Sequence, residues 1–228
     1  LIILLSFLAG YFEYTFLTIL LIIVHELGHY LMGLFLKLKV KEINIYMFGG
    51  VTILNEDLNL PIYKEVLFLV MGPLSQILFV LLIKLLYTIG YVNALTFDKI
   101  IIINKFLLTF NLLPILPLDG GKLVNNILDY FIPYKLSHKI TIIISLLFIP
   151  FIFIINNKLL GIVLIIFLLY KIYLEINNNK HKLNKLLLVR KLKLYKFKKL
   201  KRINTFEEVK RNENFYIIKN NKKIYDFH

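Results

Sequence analysis

The sequence predicts an all-α polytopic membrane protein: about six transmembrane helices, a short membrane-associated β-hairpin and a small basic cytosolic tail. Three observations carry that expectation. Hydrophobic residues fill 58% of the 228 positions and mean hydropathy is +0.73, values typical of chains that cross a bilayer repeatedly. Six apolar segments can be drawn, near residues 1–12, 15–36, 66–89, 98–118, 139–155 and 159–176. Charge is uneven: residues 177–228 hold 16 Lys/Arg against 4 Asp/Glu, a net +12, while residues 1–176 carry a net of only +2. Two parts follow, a transmembrane domain over 1–176 and a basic cytosolic tail over 177–228, which reads as a remnant of a regulatory domain or a flexible end.

The first segment begins at Leu1 inside an apolar run, so native sequence is expected before it. It has neither the basic start nor the small-residue cleavage site of a signal peptide. The second segment, Thr15–Leu36, is 22 residues long and spans about 33 Å as a helix, enough for a bilayer core. Its only groups that ionise near neutral pH or below are His25, Glu26 and His29, in the order His-Glu-Leu-Gly-His. Next, Val40–Leu54 has β-branched and aromatic residues with a break at Gly49-Gly50, and reads as two short strands with a tight turn or bulge. A strand edge there would suit pairing with an extended substrate, and a loop packed over the helices fits the residues equally well.

The third segment opens with Met71-Gly-Pro-Leu-Ser-Gln76. Gly72 would allow close helix packing and Gln76 a hydrogen bond within a site, while a simple proline kink explains Gly72 and Pro73 as well. The fourth ends in Asn111-Leu-Leu-Pro-Ile-Leu-Pro-Leu-Asp-Gly-Gly-Lys122, where Pro114 and Pro117 break the helix. The positive-inside rule orients the whole. Lys37, Lys39, Lys41 and Lys64, then Lys122, Lys135 and Lys139, then the Lys-rich tail, all fall on one side, with both termini cytosolic. Within the tail, Glu175–Arg202 reads as an amphipathic helix lying on the membrane. Beyond it, Thr205-Phe-Glu-Glu-Val reads as a helix start and Phe215–Lys219 as a strand. Because the tail follows a membrane segment, its expected partner is anionic lipid rather than nucleic acid.

Histidines at i and i+4 lie on one helix face and can hold one Zn²⁺, with Glu26 beside them to take a proton from water. A carboxylate near mid-bilayer costs about 2.5–3.5 kcal/mol on insertion scales, so it calls for a function. With no cysteine in the chain, any metal must use His, Asp, Glu or water. A zinc hydrolase needs a third protein ligand, and Asp119 in the proline-broken segment is the best candidate. Alone, Asp119 would read as a helix cap. Asn111 reads either as a hydrogen-bond partner for substrate or as a satisfied interhelical amide. His138, His181 and His228 read as solvated.

HELGHY, FGGV, MGPLSQ and NLLPILPLDGGKL, in this order and spacing over residues 1–176, resemble the site-2 protease family of intramembrane zinc proteases, and within it the stage IV sporulation protein FB branch. The resemblance implies that His25, His29 and Asp119 are zinc ligands and Glu26 the catalytic base. It implies that Asn111 and Pro117 lie in a loop that contacts substrate. For that branch the substrate is a sigma-factor precursor and the partners are inhibitory membrane proteins. Branch members usually carry a C-terminal nucleotide-sensing domain, for which this tail is too short. Two rival functions are a metal-binding membrane transporter and an inactive scaffold of the same fold. The first would want ionisable residues in series along a path, and the second sits poorly with a complete His-Glu-His-Asp set.

Overall fold

The computed structural model describes residues 10–38, 40–46, 49–54, 60–152, 158–193, 200–203, 205, 208–211, 213–219 and 222–225. The chain forms two compact units, Leu1–Asn55 with Leu67–Leu112, and Glu56–Val66 with Leu113–His228. Among the described residues four helical stretches are long and apolar enough to cross a membrane: Phe12–Phe35, Ile62–Ile89, Tyr134–Phe151 and Gly161–Asn178. These answer to four of the six expected spans. Most of the segment drawn at 1–12 lies outside the described residues. The segment drawn at 98–118 forms a helix only to Leu112, and that helix carries Asp98, Lys99 and Lys105.

In the first unit, helix α1 (Phe12–Phe35) buries one stripe: Leu17, Leu21, Ile22, His25, Glu26, Gly28, His29 and Gly33. Steps of three and four put these residues on a single face. The helix ends with Lys37 at φ 56°, and Leu38 N–H donates to the Gly33 carbonyl at 2.8 Å, a left-handed stop without a glycine. Strands β1 (Val40–Tyr46) and β2 (Gly49–Leu54) pair antiparallel beside α1. Gly49 and Gly50 are not the break between them; they are the first two residues of β2, opposite Tyr46 and Ile45.

Helix α2 (Ile62–Ile89) starts in the second unit and continues through the first, with Pro73 inside it and a glycine stop at Gly90, φ 91°. Helix α3 (Ala94–Leu112) is capped by Asn93, whose Oδ1 accepts from Thr96 N–H at 2.7 Å. Leu17, Leu21 and Ile22 of α1 pack against Ile100, Ile103 and Leu107 of α3, with Phe79, Val80 and Ile83 of α2 alongside. Glu13 on α1 pairs with Lys99 on α3 at 2.5 Å, so polar contacts as well as apolar ones register the two helices. The outward residues of α2, among them Leu74, Leu78, Leu81 and Leu85, are exposed and apolar, as a lipid-facing surface requires.

In the second unit, a non-helical stretch from Leu113 to Leu118 leads into α4 (Asp119–Phe131), followed by α5 (Tyr134–Phe148), a 3₁₀ turn (Ile149–Phe151) and α6 (Lys158–Lys193). Ser137, Thr141 and Ser145 form a fully buried polar stripe on α5. Thr141 reaches Asn125 Oδ1 at 3.2 Å and Ser137 donates to Asp129, so the seam between α4 and α5 is hydrogen-bonded.

The expected boundary at 176/177 falls inside α6. At 36 residues and about 54 Å, α6 outruns a bilayer core. Its continuation is not a separate helix laid on the membrane: Leu186 is fully buried with Tyr134, Ile203 and Val209. Strand β3 (Leu200–Arg202) pairs parallel with β4 (Asn214–Lys219), and β4 pairs antiparallel with β5 (Lys222–Tyr225). The strand expected at Phe215–Lys219 is thus β4; of the helix start expected at 205–209, Phe206 and Glu207 lie outside the described residues, while Thr205 is a bend and Glu208 a 3₁₀ position. His138, expected on the surface, is buried, stacked on Tyr134 and 3.9 Å from Glu175.

Candidate metal centre

His25, Glu26 and His29 are 3–4% exposed, and one ligand atom from each lies within 4.8 Å of the others. The second helix sets the imidazoles. His25 Nδ1–H donates to Gln76 Oε1 at 3.0 Å, and His29 Nδ1–H donates to the Phe68 carbonyl at 2.7 Å. A carbonyl oxygen can only accept, so each ring in its neutral form carries its proton on Nδ1. Both Nε2 lone pairs then face one another across 3.0 Å. Two acceptors at that distance repel unless a cation or proton lies between them. A tetrahedral ion with nitrogen ligands about 2.0–2.1 Å away holds them about 3.3 Å apart, close to what is seen. With Glu26 alongside, the donor set fits zinc.

Residues without side chains keep this space open. A Cβ at Gly72 would lie 2.7 Å from His25 Nε2 and closer still to His29 Nε2. A Cβ at Gly28 would strike the Met71 carbonyl and Ser75 Oγ, so α1 and α2 touch backbone to backbone at this point. The Ser75 hydroxyl lies 2.8 Å from the Val24 carbonyl and 2.7 Å from the Gly72 carbonyl, one proton serving the helix contact. Pro73 takes away the N–H that would bond the Leu69 carbonyl, loosening the turn that carries Phe68 and Gly72.

Asp119 belongs to the second unit. It is 8% exposed and is the first residue of α4 rather than its cap, a position taken by Leu118. Lys122 Nζ is 3.7 Å from its Oδ1. The Leu113–Leu118 stretch folds back over this helix start: a Cβ at Gly121 would lie 2.6 Å from the Ile115 carbonyl oxygen and from Leu116 N. Leu116 N–H donates to Ser145 Oγ at 2.9 Å, which satisfies a buried backbone donor in broken chain. Pro117 follows a cis peptide bond and is half-buried. Asn111, in the first unit, is half-buried in the last turn of α3.

The structure therefore brings together His25, Glu26 and His29, and adds Gln76, Gly72 and Phe68 around them. Gln76 and Gly72 stood out in the sequence as weak signals. Phe68 gave none: its carbonyl has no residue signature, and its ring, stacked on His29 at 5.0 Å between centroids, is one apolar residue among many in the span. Gln76→Leu removes the acceptor for His25 Nδ1–H and is expected to lower metal affinity about 10–100-fold. Chelator competition on purified variant and parent measures it, and equal affinities would show that the amide does not orient the ring.

The apolar helices and the buried His-Glu-His group define an integral membrane protein with a candidate metal centre inside one of its spans. The profile of peptidase family M50 matches residues 88–155. Stage IV sporulation protein FB of Bacillus subtilis (strain 168) is 31% identical over 144 residues, 63% of this chain and 50% of that protein. A zinc metalloprotease of Methanocaldococcus jannaschii is 27% identical over 122 residues, 52% of this chain and 35% of that one. The chain thus spans half or less of the length of these relatives. The solved site-2 protease from Methanocaldococcus jannaschii superposes with a TM-score of 0.60 at 24% identity, over 76% of this chain and 83% of that one, a likeness of fold. By these matches the chain is similar to the site-2 protease family, peptidase family M50.

Proposed function

We propose that the protein is an intramembrane zinc metalloprotease that hydrolyses a peptide bond in or near the membrane-associated segment of a regulatory protein. The observation that carries the reading is the pair of imidazoles fixed through Nδ1, with their Nε2 atoms 3.0 Å apart and Glu26 buried beside them. His25, His29 and Asp119 would hold the ion. When bound, zinc acidifies water and polarises a scissile carbonyl. Glu26 takes the proton of the attacking water and returns it to the leaving amine. Asn111 and Pro117 contact the substrate chain, and the main chain of β2 around Gly49 and Gly50 pairs with it once it is extended. Loop charges put the C-terminal half of α1 and both termini on the cytosolic side.

By resemblance to the sporulation branch, the substrate is a sigma-factor precursor and inhibitory membrane proteins are partners. Mass spectrometry of cells expressing either the parent or Glu26→Gln tests this. Membrane-associated proteins cut only with the parent are expected, a transcription factor precursor among them. Identical fragment sets would refute the protease assignment, and metal transport into proteoliposomes without proteolysis would favour the transporter.

A further inference from the structure

Arg211 lies between β3 and β4, in the stretch that reads from sequence as a remnant of a regulatory domain or a flexible end, and it is only 5% exposed. Its Nη1 donates to Glu65 Oε2 at 3.0 Å, Asn126 Oδ1 at 3.2 Å and Asp129 Oδ2 at 3.2 Å. Nη2 donates to Glu65 Oε1 and to the Leu60 carbonyl, the latter at 3.2 Å. Glu65 sits in the first turn of α2, and Asn126 and Asp129 sit one turn apart on α4. All of these residues belong to the second unit. Neighbouring residues tie the same end of α4. Lys210 Nζ donates to the Phe131 carbonyl at 2.6 Å, and Tyr134 N–H donates to the Val209 carbonyl at 3.0 Å.

A buried guanidinium is tolerated only when paired and hydrogen-bonded, and here one planar fork meets two carboxylates from two helices. Burial alone would make the guanidinium easier to deprotonate, but Glu65 and Asp129 outweigh it and hold the charge more firmly than usual. Burial pushes the Asp129 carboxyl up, against the opposing pull of Arg211. Lysine offers a point charge and cannot span both partners. Helix α4 is short, 13 residues and about 20 Å, with Asp119 at one end and the clasped residues toward the other. Helix α2 carries Phe68, whose carbonyl bonds His29, three residues after Glu65.

We propose that Arg211 is a positioning residue: residues 209–211 clasp α4 to the start of α2 and so hold the helix whose first residue is Asp119. The consequence for catalysis rests on Asp119 being the third zinc ligand. The clasp itself does not. Without Arg211, Glu65 and Asp129 are left as two carboxylates that have lost their shared cation, and α4 loses its tie to α2.

The test uses the full chain in lipid nanodiscs, with three readouts: hydrogen exchange over 119–131 against 94–112 as control, zinc affinity by chelator competition, and kcat and KM on a membrane-associated substrate. Arg211→Gln is expected to speed exchange in 119–131 about tenfold while 94–112 is unchanged. Zinc affinity is expected to fall about 10–100-fold, and kcat to fall with KM held within about twofold. Arg211→Lys is expected to fall between parent and Gln in all three. If Arg211→Gln does not fold, Arg211→Lys alone must still speed exchange in 119–131. Unchanged exchange in 119–131, or an equal rise in 94–112, overturns the clasp. A parent that binds no zinc defeats the protease reading and leaves the exchange result to judge the clasp on its own.

Discussion

Glu26→Gln is expected to keep the zinc content of the parent and lose about 10²–10⁴-fold in cleavage rate, the usual worth of a general base. The substitution keeps the size and burial of the side chain beside His25 and His29 and removes only its ability to accept a proton. Because Gln76 and the Phe68 carbonyl hold the imidazoles through Nδ1 and both remain in this variant, the ring geometry is expected to persist. Zinc per chain by mass spectrometry and single-turnover cleavage check the two halves separately. Turnover near that of the parent would remove Glu26 from the role of base. Loss of zinc together with activity would make it a ligand instead.

Gly72→Ala is expected to be as damaging by another route, with zinc affinity lower by at least about 100-fold and cleavage lost with it. The added methyl would occupy the space in front of both Nε2 atoms, 2.7 Å from that of His25. Neither neighbour can yield cheaply, since each ring is held by a hydrogen bond on its other nitrogen. Relief by moving α2 is blocked where Gly28 meets the Met71 carbonyl and Ser75. Chelator competition measures the affinity, and circular dichroism shows that the helices persist. An alanine variant that binds zinc as the parent does would mean that the two Nε2 atoms do not face the ion.

Much of this centre was legible in the sequence because helical periodicity is a local rule. His25 and His29 at i and i+4 must share a face, and an apolar run places that face inside a span. The glycines at 28 and 72 were harder, since a close approach between helices depends on what the other helix brings. Phe68 could not be seen at all, because a backbone carbonyl has no residue signature. Apolar length alone did not show where the fourth segment stops being helical: its helix ends at Leu112, two residues before Pro114, and carries Asp98, Lys99 and Lys105. Arg211 was hidden for a different reason. A cation in a Lys-rich stretch looks solvated, and its partner Glu65 is 146 positions away. His138 was misjudged for the same cause, its burial depending on Tyr134 and on Glu175 from another helix.

The central claim is that His25 and His29 hold a zinc ion together with one carboxylate, Asp119. Zinc-edge X-ray absorption of the purified chain and of Asp119→Ala tests it most directly. The account predicts one zinc per chain with two imidazole nitrogens at about 2.0–2.1 Å and oxygen ligands at about 2.0–2.2 Å. In Asp119→Ala it predicts a weakened site that still shows both imidazoles. A chain that takes up no zinc, a spectrum without two imidazoles, or an Asp119→Ala variant with the parent's spectrum and affinity would contradict it.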